Sequence, residues 1–401
     1  MSEMKNKYIG YRLFYSLSII LLLSIIFSCE TVQHSAAANT DEQDGFAIAH
    51  GPYLQLLTEN SVVIVWHTNH NCVSTVEYGV DRLDQTAIQS HHGLIDNDST
   101  SQQIRITGLQ PGTTYKYRII SQEFKGYTQQ HLVTFGETVA SDEFSFTTLD
   151  RKKDDYSFCV VSDIHERAEH LQELFKLVHW PNTDFIVYNG DMVNDFMTLE
   201  QPFHGFLDVS VQKFAKTKQF VYVRGNHDVR GRFARNLADF FPTQEGCAYY
   251  SFDHGPVHFI VLDSGEDKID SHEYYNGLVD FQRYREEQAE WVKQDLESEK
   301  ARSALYKIVI SHIPPLDRDR FMYQHLRSTL EKPLNDAGVD LWLSGHTHKF
   351  ARLDPTPGTA YTLIIGATDT VTQVDVSKNN LNISVIRRGG ELLDSLTLTS
   401  K

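Results

Sequence analysis

The sequence predicts two folded domains, an all-β sandwich followed by an α/β domain. Between Phe46 and Leu149, short runs rich in β-branched and aromatic residues alternate with turn residues, which is typical of a β-sandwich. After residue 155, apolar strand-like runs alternate with longer amphipathic runs, which indicates layers of strands and helices. The charged stretch 150–155 separates the two patterns and marks the domain boundary.

The N-terminus is predicted to be a targeting segment that takes no part in the fold. Lys5, Lys7 and Arg12 precede an apolar stretch, residues 13–27, that is too short for a typical membrane span. The pattern resembles a bacterial lipoprotein signal, which implies cleavage before Cys29 and acylation of that residue. An uncleaved signal anchor and an ordinary secretory leader are the alternatives.

Four segments follow from these patterns: a signal peptide (1–28), a flexible tether (29–45), the β-sandwich (46–149) and the α/β domain (150–401). The tether is predicted because residues 31–44 are small, polar and acidic and show no periodicity. The remaining cysteines, at positions 72, 159 and 247, are scattered and predict no disulfide framework.

Charge composition excludes one class of partner. The 401 residues include 53 acidic and 37 basic side chains, whereas proteins that hold nucleic-acid backbones need a surplus of Lys and Arg. A nucleic-acid polymer is therefore not expected as a partner, and no obligate protein partner is inferred.

In the sandwich, Trp66 is expected in the core. Four histidines without convergent carboxylates, His67, His70, His91 and His92, are expected to be structural or solvated. The predicted strands are 53–57, 61–67, 74–78, 103–107, 113–120, 131–135 and 144–148.

Two stretches of this domain resemble known families. Residues 51–55, Gly-Pro-Tyr-Leu-Gln, followed by 63–66, Val-Ile-Val-Trp, resemble the opening of the domain that precedes the catalytic domain of purple acid phosphatases. Residues 106–118 resemble the late-strand corner of fibronectin type III domains. Both resemblances imply a fibronectin-like sandwich.

In the second domain, amphipathic helices are predicted over 169–179 and 280–300. Strands are predicted to begin near residues 156, 185, 220, 257, 306 and 340, and later strands cover 361–365, 370–376 and 382–387.

Metal-binding residue types follow five of these strands. Ligands bind beyond the carboxyl ends of strands in open α/β sheets. One histidine after a strand is more often structural, but five strand ends that supply two Asp, one Asn and four His favour a shared metal site. These residues are Asp163, His165, Asp191, Asn226, His312, His346 and His348.

Taken in order, these motifs resemble the set of the calcineurin-like metallophosphoesterases. The matching stretches are Asp163-x-His165, Gly190-Asp191, Gly225-Asn226-His227-Asp228, His312 and Gly345-His346-x-His348. The resemblance implies a four-layer αββα sandwich with two metal ions. It assigns Asp163, His165 and His348 to one ion and Asn226, His312 and His346 to the other, with Asp191 as the bridge.

The resemblance also implies that His227 contacts the phosphate and protonates the leaving oxygen, while Asp228 orients His227. Imidazole and carboxylate ligands suit Mn, Zn, Fe or Co better than Mg or Ca. Two such ions would acidify a bridging water and supply hydroxide for attack on a phosphate ester. The glycines at 190, 225 and 345 are expected to allow tight bends at the strand ends.

One position separates this site from that of the purple acid phosphatases. Those enzymes carry an iron-binding tyrosine three residues after the bridging aspartate, where this sequence has Asn194. The sequence therefore predicts a colourless enzyme without an iron–tyrosinate absorption band.

Residues between the motifs are expected to select the substrate. Guanidinium groups after His227 and His312 are predicted either to clamp phosphate oxygens or to lie in solvated loops. The loop 265–277 is predicted to form a lid or a specificity loop, with tyrosines that either stack on substrate or pack between loops. The residues concerned are Arg230, Arg232, Arg318, Arg320, Tyr274 and Tyr275.

The predicted function is a lipid-anchored, two-metal phosphoesterase of the bacterial cell envelope, either periplasmic or surface-exposed. Its predicted substrates are small phosphomonoesters or phosphodiesters. A nucleotide or cyclic-nucleotide phosphodiesterase and a lipid-head-group hydrolase are alternatives within enzymes. A surface binding protein with an inactive phosphoesterase domain is the alternative of another class.

Overall fold

The computed structural model describes residues 45–244, 246–316 and 320–400. The predicted signal peptide, Cys29, all of the predicted tether except Gly45, and Arg318 lie outside the described residues. The residues from Phe46 onward form one compact unit.

The first part of this unit is built entirely from strands, as predicted. The strands are β1 (Ile48–Gln55), β2 (Ser61–Thr68), β3 (Cys72–Gly79), β4 (Gln85–Ile88), β5 (Ser90–His91), β6 (Leu94–Ile95), β7 (Ser101–Thr107), β8 (Thr114–Gln129), β9 (Leu132–Ala140) and β10 (Phe144–Thr147).

These strands form a sandwich of two sheets. One sheet has the order β1-β2-β7, and the other has the order β10-β8-β3-β4 with β9 paired to β8. Val62, Ile64 and Trp66 alternate along β2 and point into the sandwich core. The prediction for Trp66 is confirmed: it is fully buried, and its indole N–H donates to Ser121 Oγ (3.0 Å).

The other face of β2 packs on the α/β domain. Val63 and Val65 join Tyr53 in a cluster with aromatic residues of that domain. The Tyr53 hydroxyl donates to the carbonyl of Phe240 (2.9 Å), and its oxygen lies 3.1 Å from His67 Nε2. His67 is therefore a buried structural residue, and both faces of β2 are buried.

The α/β domain contributes the strands β11 (Tyr156–Val161), β12 (Thr183–Asn189), β13 (Phe220–Val223), β14 (Tyr250–His254), β15 (Val257–Val261), β16 (Tyr306–Ile310), β17 (Leu341–Ser344), β18 (Ala351–Leu353), β19 (Thr362–Ile365), β20 (Thr370–Val376), β21 (Asn380–Arg387) and β22 (Glu391–Thr399).

Its α-helices are α1 (Ala168–Phe175), α2 (Asp208–Ser210), α3 (Phe281–Leu296), α4 (Glu299–Ser303), α5 (Phe321–Leu326) and α6 (Lys332–Asp336). Further helical segments are π-helical (Phe203–Leu207, Val211–Ala215 and Arg327–Glu331) or 3₁₀-helical (Ala234–Asp239 and Glu273–Tyr275).

The domain has the four-layer αββα architecture that the family resemblance implies. Within the described residues, two six-stranded sheets have the orders β13-β12-β11-β20-β21-β22 and β14-β15-β16-β17-β19-β18. Apolar residues such as Phe158, Phe185 and Phe259 fill the space between the sheets. Helix α1 and the run 203–215 cover the first sheet, and α3, α5 and α6 cover the second.

The structure differs from the predicted elements in two respects. The predicted helix 280–300 is two helices, because Ser298 breaks the run and its hydroxyl accepts the N–H of Ala301 (3.1 Å) as an N-cap. The strands β4, β5, β6, β14, β18 and β22 were not predicted. β18 and β22 are largely exposed, and exposed strands lack the apolar run on which the strand assignments relied.

In the part of the chain that the structure describes, no helix has the length and apolarity to cross a membrane.

A buried charge cluster joins β14 and β15 to helix α3. His258 Nδ1 lies 2.8 Å from Asp253 Oδ1, and its Nε2 lies 2.9 Å from Asp295 Oδ2, while the imidazole is 1% exposed. Burial lowers the pKa of His258, but its hydrogen bonds to Asp253 and Asp295 outweigh burial and raise the pKa above 6.5.

Replacing this imidazole should destabilise the protein in a pH-dependent way. A raised folded-state pKa stabilises the fold fully below the unfolded-state pKa, and this stabilisation is lost as pH rises through the folded-state pKa. We expect His258→Gln to lower the free energy of unfolding by about 2 kcal/mol near pH ~6 and by less in alkaline solution. Denaturant unfolding across pH measures this, with the exposed His131→Gln as control. An equal loss at all pH values would contradict the expectation.

Candidate metal centre

The predicted metal ligands all follow strands that end at one edge of the two sheets. Asp163, Asp191 and Asn226 come two or three residues after β11, β12 and β13, which run parallel to one another. His312 and His346 each come two residues after β16 and β17, which are parallel neighbours in the second sheet. Parallel strands thus bring ligands from both sheets to one crevice.

The ligand atoms form two groups that share one carboxylate. Asp163, His165, Asp191 and His348 form the first group, and Asp191, His312 and His346 form the second. Within each group, the candidate ligand atoms lie within 4.8 Å of one another. The geometry therefore places Asp191 in both of the groups that could hold a cation.

Asn226 lies beside the second group. Its Oδ1 is 2.9 Å from His346 Nδ1, so an amide oxygen is available there as a further ligand. The seven predicted ligands are therefore all in the crevice.

The polar atoms of these residues face one another in the crevice and are suited to bind cations. His165 Nε2 and His348 Nε2 face each other at 3.2 Å. The buried atoms Asp163 Oδ1 and His312 Nε2 make no hydrogen bond of good geometry, although His348 Nε2 lies 3.3 Å from the first and Asp191 Oδ2 lies 3.0 Å from the second. A carboxylate oxygen and imidazole nitrogens aimed at a common point are the donors that Zn, Mn, Fe or Co prefer.

The ligand-bearing turns are held in an unusual backbone conformation. Left-handed φ values cost a residue with a side chain about 1–2 kcal/mol. The Arg167 guanidinium helps to hold the first turn, because it donates to the carbonyls of Asp163 (2.7 Å) and Ile164 (2.8 Å). The ligands with positive φ are Asp163 (57°), His165 (49°), Asp191 (53°), His346 (70°) and His348 (59°).

Asp228 does not contact His227, which corrects the orienting role expected for it. Its fully buried carboxylate instead accepts backbone N–H groups at 2.8–3.2 Å. The side chain points inward because these amides converge on it where the loops after β12 and β13 meet. The donors are the N–H groups of Gly225, Asp191, Met192 and Val193.

His227 is oriented by residues that the motifs did not include. Its Nδ1 lies 2.5 Å from the carbonyl oxygen of Asn194 and 3.6 Å from Asp195 Oδ1. A protonated Nδ1 would donate to that carbonyl. The ring packs edge-on against His165, with the centroids 5.0 Å apart, so it lies at the metal site. Asp195 could have been suspected from its place four residues after Asp191, but a backbone carbonyl leaves no signal in a sequence.

Electrostatics within the site link proton and metal binding. Burial raises the pKa of Asp191, but the adjacent His312 outweighs burial and holds the pKa well below its usual range. Burial lowers the pKa of His312, yet the Asp191 carboxylate raises it to about 10. Burial also lowers the pKa of His346 to about 4, which keeps that imidazole neutral. A protonated His312 would lose its proton on binding a metal.

The three motif glycines act mainly by making room, which corrects the expectation that all three allow bends. Only Gly190 has a left-handed φ, of 84°. A Cβ at Gly225 would lie 2.2 Å from Asp191 Oδ1, and one at Gly345 would lie 2.7 Å from Asp163 Oδ2. These two glycines let the chain approach the ligand carboxylates closely.

Arg230 is held by acidic residues on one side of its guanidinium. Its Nε and Nη2 groups pair with Glu266 through two hydrogen bonds (2.7 and 2.8 Å) and with Asp267 (3.0 Å). The guanidinium also lies 5.4 Å from the centre of the Tyr274 ring. Arg230 therefore joins the loop after β15 to the His227 loop, and only its Nη1 group, 3.4 Å from His227 Nε2, faces the site.

The other predicted substrate residues lie in different settings. Arg232 and Arg320 are exposed, and Arg232 lies 4.8 Å from the centre of the Phe233 ring. Tyr274 is exposed, with cations from Arg230 and Lys268 near its ring. Tyr275 is buried, so it packs between loops and is not available to stack on a substrate.

Comparisons with known proteins agree with this architecture. Residues 156–350 match the calcineurin-like phosphoesterase family, and residues 50–148 match the purple acid phosphatase N-terminal domain. Purple acid phosphatase 21 of Arabidopsis thaliana is 22% identical over 380 residues, which cover 88% of this chain and 78% of that protein. Human serine/threonine-protein phosphatase CPPED1 is 30% identical over 139 residues, which cover 33% of this chain and 42% of that protein.

A solved structure shows the same fold. Purple acid phosphatase PPD1 from seeds of yellow lupin (Lupinus luteus) superposes with a TM-score of 0.66 at 13% identity, covering 87% of this chain and 74% of that chain. The combination of an all-β domain and an αββα domain is therefore confirmed.

Filling the space at Gly225 should impair metal binding. In Gly225→Ala, the new Cβ would collide with Asp191, and we expect the affinity for divalent transition metals to fall about tenfold or more. Metal content after dialysis, measured by mass spectrometry, tests this. The matched control is Gly366→Ala at a nearby strand end, where the nearest atom to a Cβ is 3.6 Å away. Equal metal content in the Gly225→Ala and unsubstituted proteins would contradict the assigned geometry.

Proposed function

Since the chain is a metallophosphoesterase, with a purple acid phosphatase N-terminal domain before its calcineurin-like phosphoesterase domain, we propose that it hydrolyses small phosphomonoesters or phosphodiesters in the bacterial cell envelope. The observation that carries the proposal is the buried Asp191 carboxylate shared by two groups of ligand atoms. A family of this kind implies a dinuclear metal centre.

We assign the ligands residue by residue. Asp163, His165 and His348 hold one ion, and Asn226, His312 and His346 hold the other, with Asp191 between them. We propose Mn, Zn, Fe or Co as the metals because the donors are imidazoles, carboxylates and an amide oxygen. Bound there, two such ions supply Lewis-acid stabilisation of phosphoryl oxygens and lower the pKa of water.

His227 is proposed to protonate the leaving oxygen. Its Nδ1 is engaged by the Asn194 carbonyl, which fixes the ring and leaves Nε2 as the exchangeable position. Arg230 Nη1 lies 3.4 Å from that Nε2 and adds positive charge beside it. The role of Asp228 is to hold the loops that carry Asp191 and Asn226, not to touch the substrate.

The enzyme is proposed to be colourless. Asn194 stands at the position of the iron-binding tyrosine of purple acid phosphatases. Here its carbonyl oxygen lies 2.5 Å from His227 Nδ1, and its N–H donates to Glu166 Oε1 (2.9 Å). An absorption spectrum of natively purified protein tests this, since a strong visible band lost on substitution of Asn194 would overturn the proposal.

A lipid anchor at Cys29 is proposed to place the protein on a membrane of the envelope, either in the periplasm or at the cell surface. Support comes from the basic and apolar residues that precede Cys29. The mass of the N-terminal peptide of the mature protein tests the anchor. An acylated Cys29 is expected, and an unmodified residue 29 would refute it.

Removal of either Asp191 or His227 should abolish most hydrolysis for different reasons. We expect Asp191→Ala to lose metal and activity together. His227→Ala should keep its metal and lower kcat by about 10²–10⁴-fold. The assay uses p-nitrophenyl phosphate, with metal content measured in parallel, and the exposed His204→Ala serves as control.

The same assay decides among substrate classes. Bis-p-nitrophenyl phosphate, nucleotides, cyclic nucleotides and phospholipids are compared with p-nitrophenyl phosphate. Preference for a diester or a phospholipid would favour a phosphodiesterase or a lipid-head-group hydrolase. Unchanged hydrolysis in metal-replete His227→Ala would refute the mechanism, and no hydrolysis by the unsubstituted protein would favour a binding protein.

A further inference from the structure

The β8–β9 hairpin extends past the sheet to which it belongs. Strand β3 pairs with β8 only as far as Glu123, which lies opposite Cys72. Beyond that point, β8 pairs only with β9, from Phe124 opposite Phe135 to Gln129 opposite Leu132. We call residues 124–135 the hairpin end. An isolated pair of strands is only marginally stable in water, so we expect the hairpin end to contact another surface.

The hairpin end carries an unusual density of exposed apolar side chains. Tyr127 is 64% exposed, Leu132 47%, Val133 39% and Phe135 44%. Phe124 joins them, since its ring centroid lies 5.5 Å from that of Tyr127 and 6.0 Å from that of Phe135. Clustered exposed apolar groups mark interaction surfaces, whereas single ones are ordinary.

The described chain begins at the root of this hairpin end. The Phe46 ring stacks on His70, with centroids 6.3 Å apart, and His70 Nδ1 lies 2.9 Å from Glu123 Oε1. The N–H of Phe124 donates to the Asn71 carbonyl (2.8 Å). The chain that leads back to Cys29 therefore leaves the folded unit beside Phe124.

The lengths of these two segments are compatible with one membrane. The segment from Cys29 to Gly45 can span at most roughly 55 Å when fully extended. The hairpin end projects roughly 20 Å from Glu123 to Gln129. Because this projection is shorter than the greatest span of the segment, a bilayer that holds Cys29 can reach the hairpin end.

We propose that the hairpin end docks on the lipid surface in which Cys29 is anchored. Tyr127, Val133 and Phe135 would enter the interface, where aromatic rings with a polar edge are favoured. Lys125 would face acidic head groups. The anchor supplies a high local concentration of lipid, so a weak contact suffices. The inference rests on the proposed anchor but not on the proposed hydrolysis.

The test places a fluorescent reporter on the hairpin in the full chain. The Tyr127→Trp protein, purified from membranes, is reconstituted into vesicles of phosphatidylethanolamine and phosphatidylglycerol, with or without bromine-labelled phosphatidylcholine. Bromine quenches tryptophan only within the bilayer. We expect Tyr127→Trp to lose emission well beyond the loss in the unsubstituted protein. The matched control is Leu392→Trp at an exposed leucine of β22, which should show no extra loss.

A second measurement tests the effect of removing apolar side chains from the hairpin end on its binding to the vesicles. The Tyr127→Ser/Phe135→Ser protein should be extracted from these vesicles by alkaline washing roughly tenfold more readily than the unsubstituted protein. Absence of extra quenching at position 127 would overturn the proposal, as would failure of the full chain to associate with vesicles. Absence of quenching together with cross-linking of two copies through position 127 would instead indicate a second copy of the chain as the occupant. Hydrolysis of p-nitrophenyl phosphate in the same vesicles reports separately on the active site.

Discussion

The buried carboxylate of Asp228 is the interaction on which the candidate metal centre depends. It accepts N–H groups from the loop after β12 and from the loop after β13, so it joins two strand ends into one rigid edge. Burial and the nearby Asp191 raise the pKa of Asp228 to about 6, although the backbone N–H groups oppose that rise. Two carboxylates in one dry region repel each other, and only oriented amides and the positive charge of the site make the arrangement stable.

The turns that carry the ligands with positive φ values also depend on contacts from the surrounding residues. Five ligands adopt positive φ values, and each such turn costs free energy that the packed edge must offset. Asp228, the Arg167 guanidinium and the close approach of Gly225 to Asp191 supply that support. These contacts therefore hold the ligand-bearing loops in place from the protein side.

The residue types of the site could be predicted from the sequence because metal chemistry restricts them. Asp, His and Asn after buried strands converge wherever parallel strands end together, so the seven ligands lie together as expected. The supporting contacts could not be predicted. The direction of the Asp228 side chain depends on amides from another loop, and the Asn194 carbonyl is present in any residue. Arg230 is neutralised by Glu266, which lies 36 positions away in the sequence. In the fold, buried strands were predicted well, whereas the exposed strand β22 lacks a clear apolar pattern.

The sandwich sheet β1-β2-β7 is buried on both faces along β2, whereas Arg105 and Thr107 of β7 are exposed. Its inner side fills the sandwich, and its outer side meets Phe203, Phe220 and Phe240 of the α/β domain. Gln55 and Tyr117 add hydrogen bonds to the carbonyls of Phe220 (2.9 Å) and Lys216 (2.7 Å). The sandwich is thus packed directly against the catalytic domain, so its removal would expose Phe203, Phe220 and Phe240 to solvent.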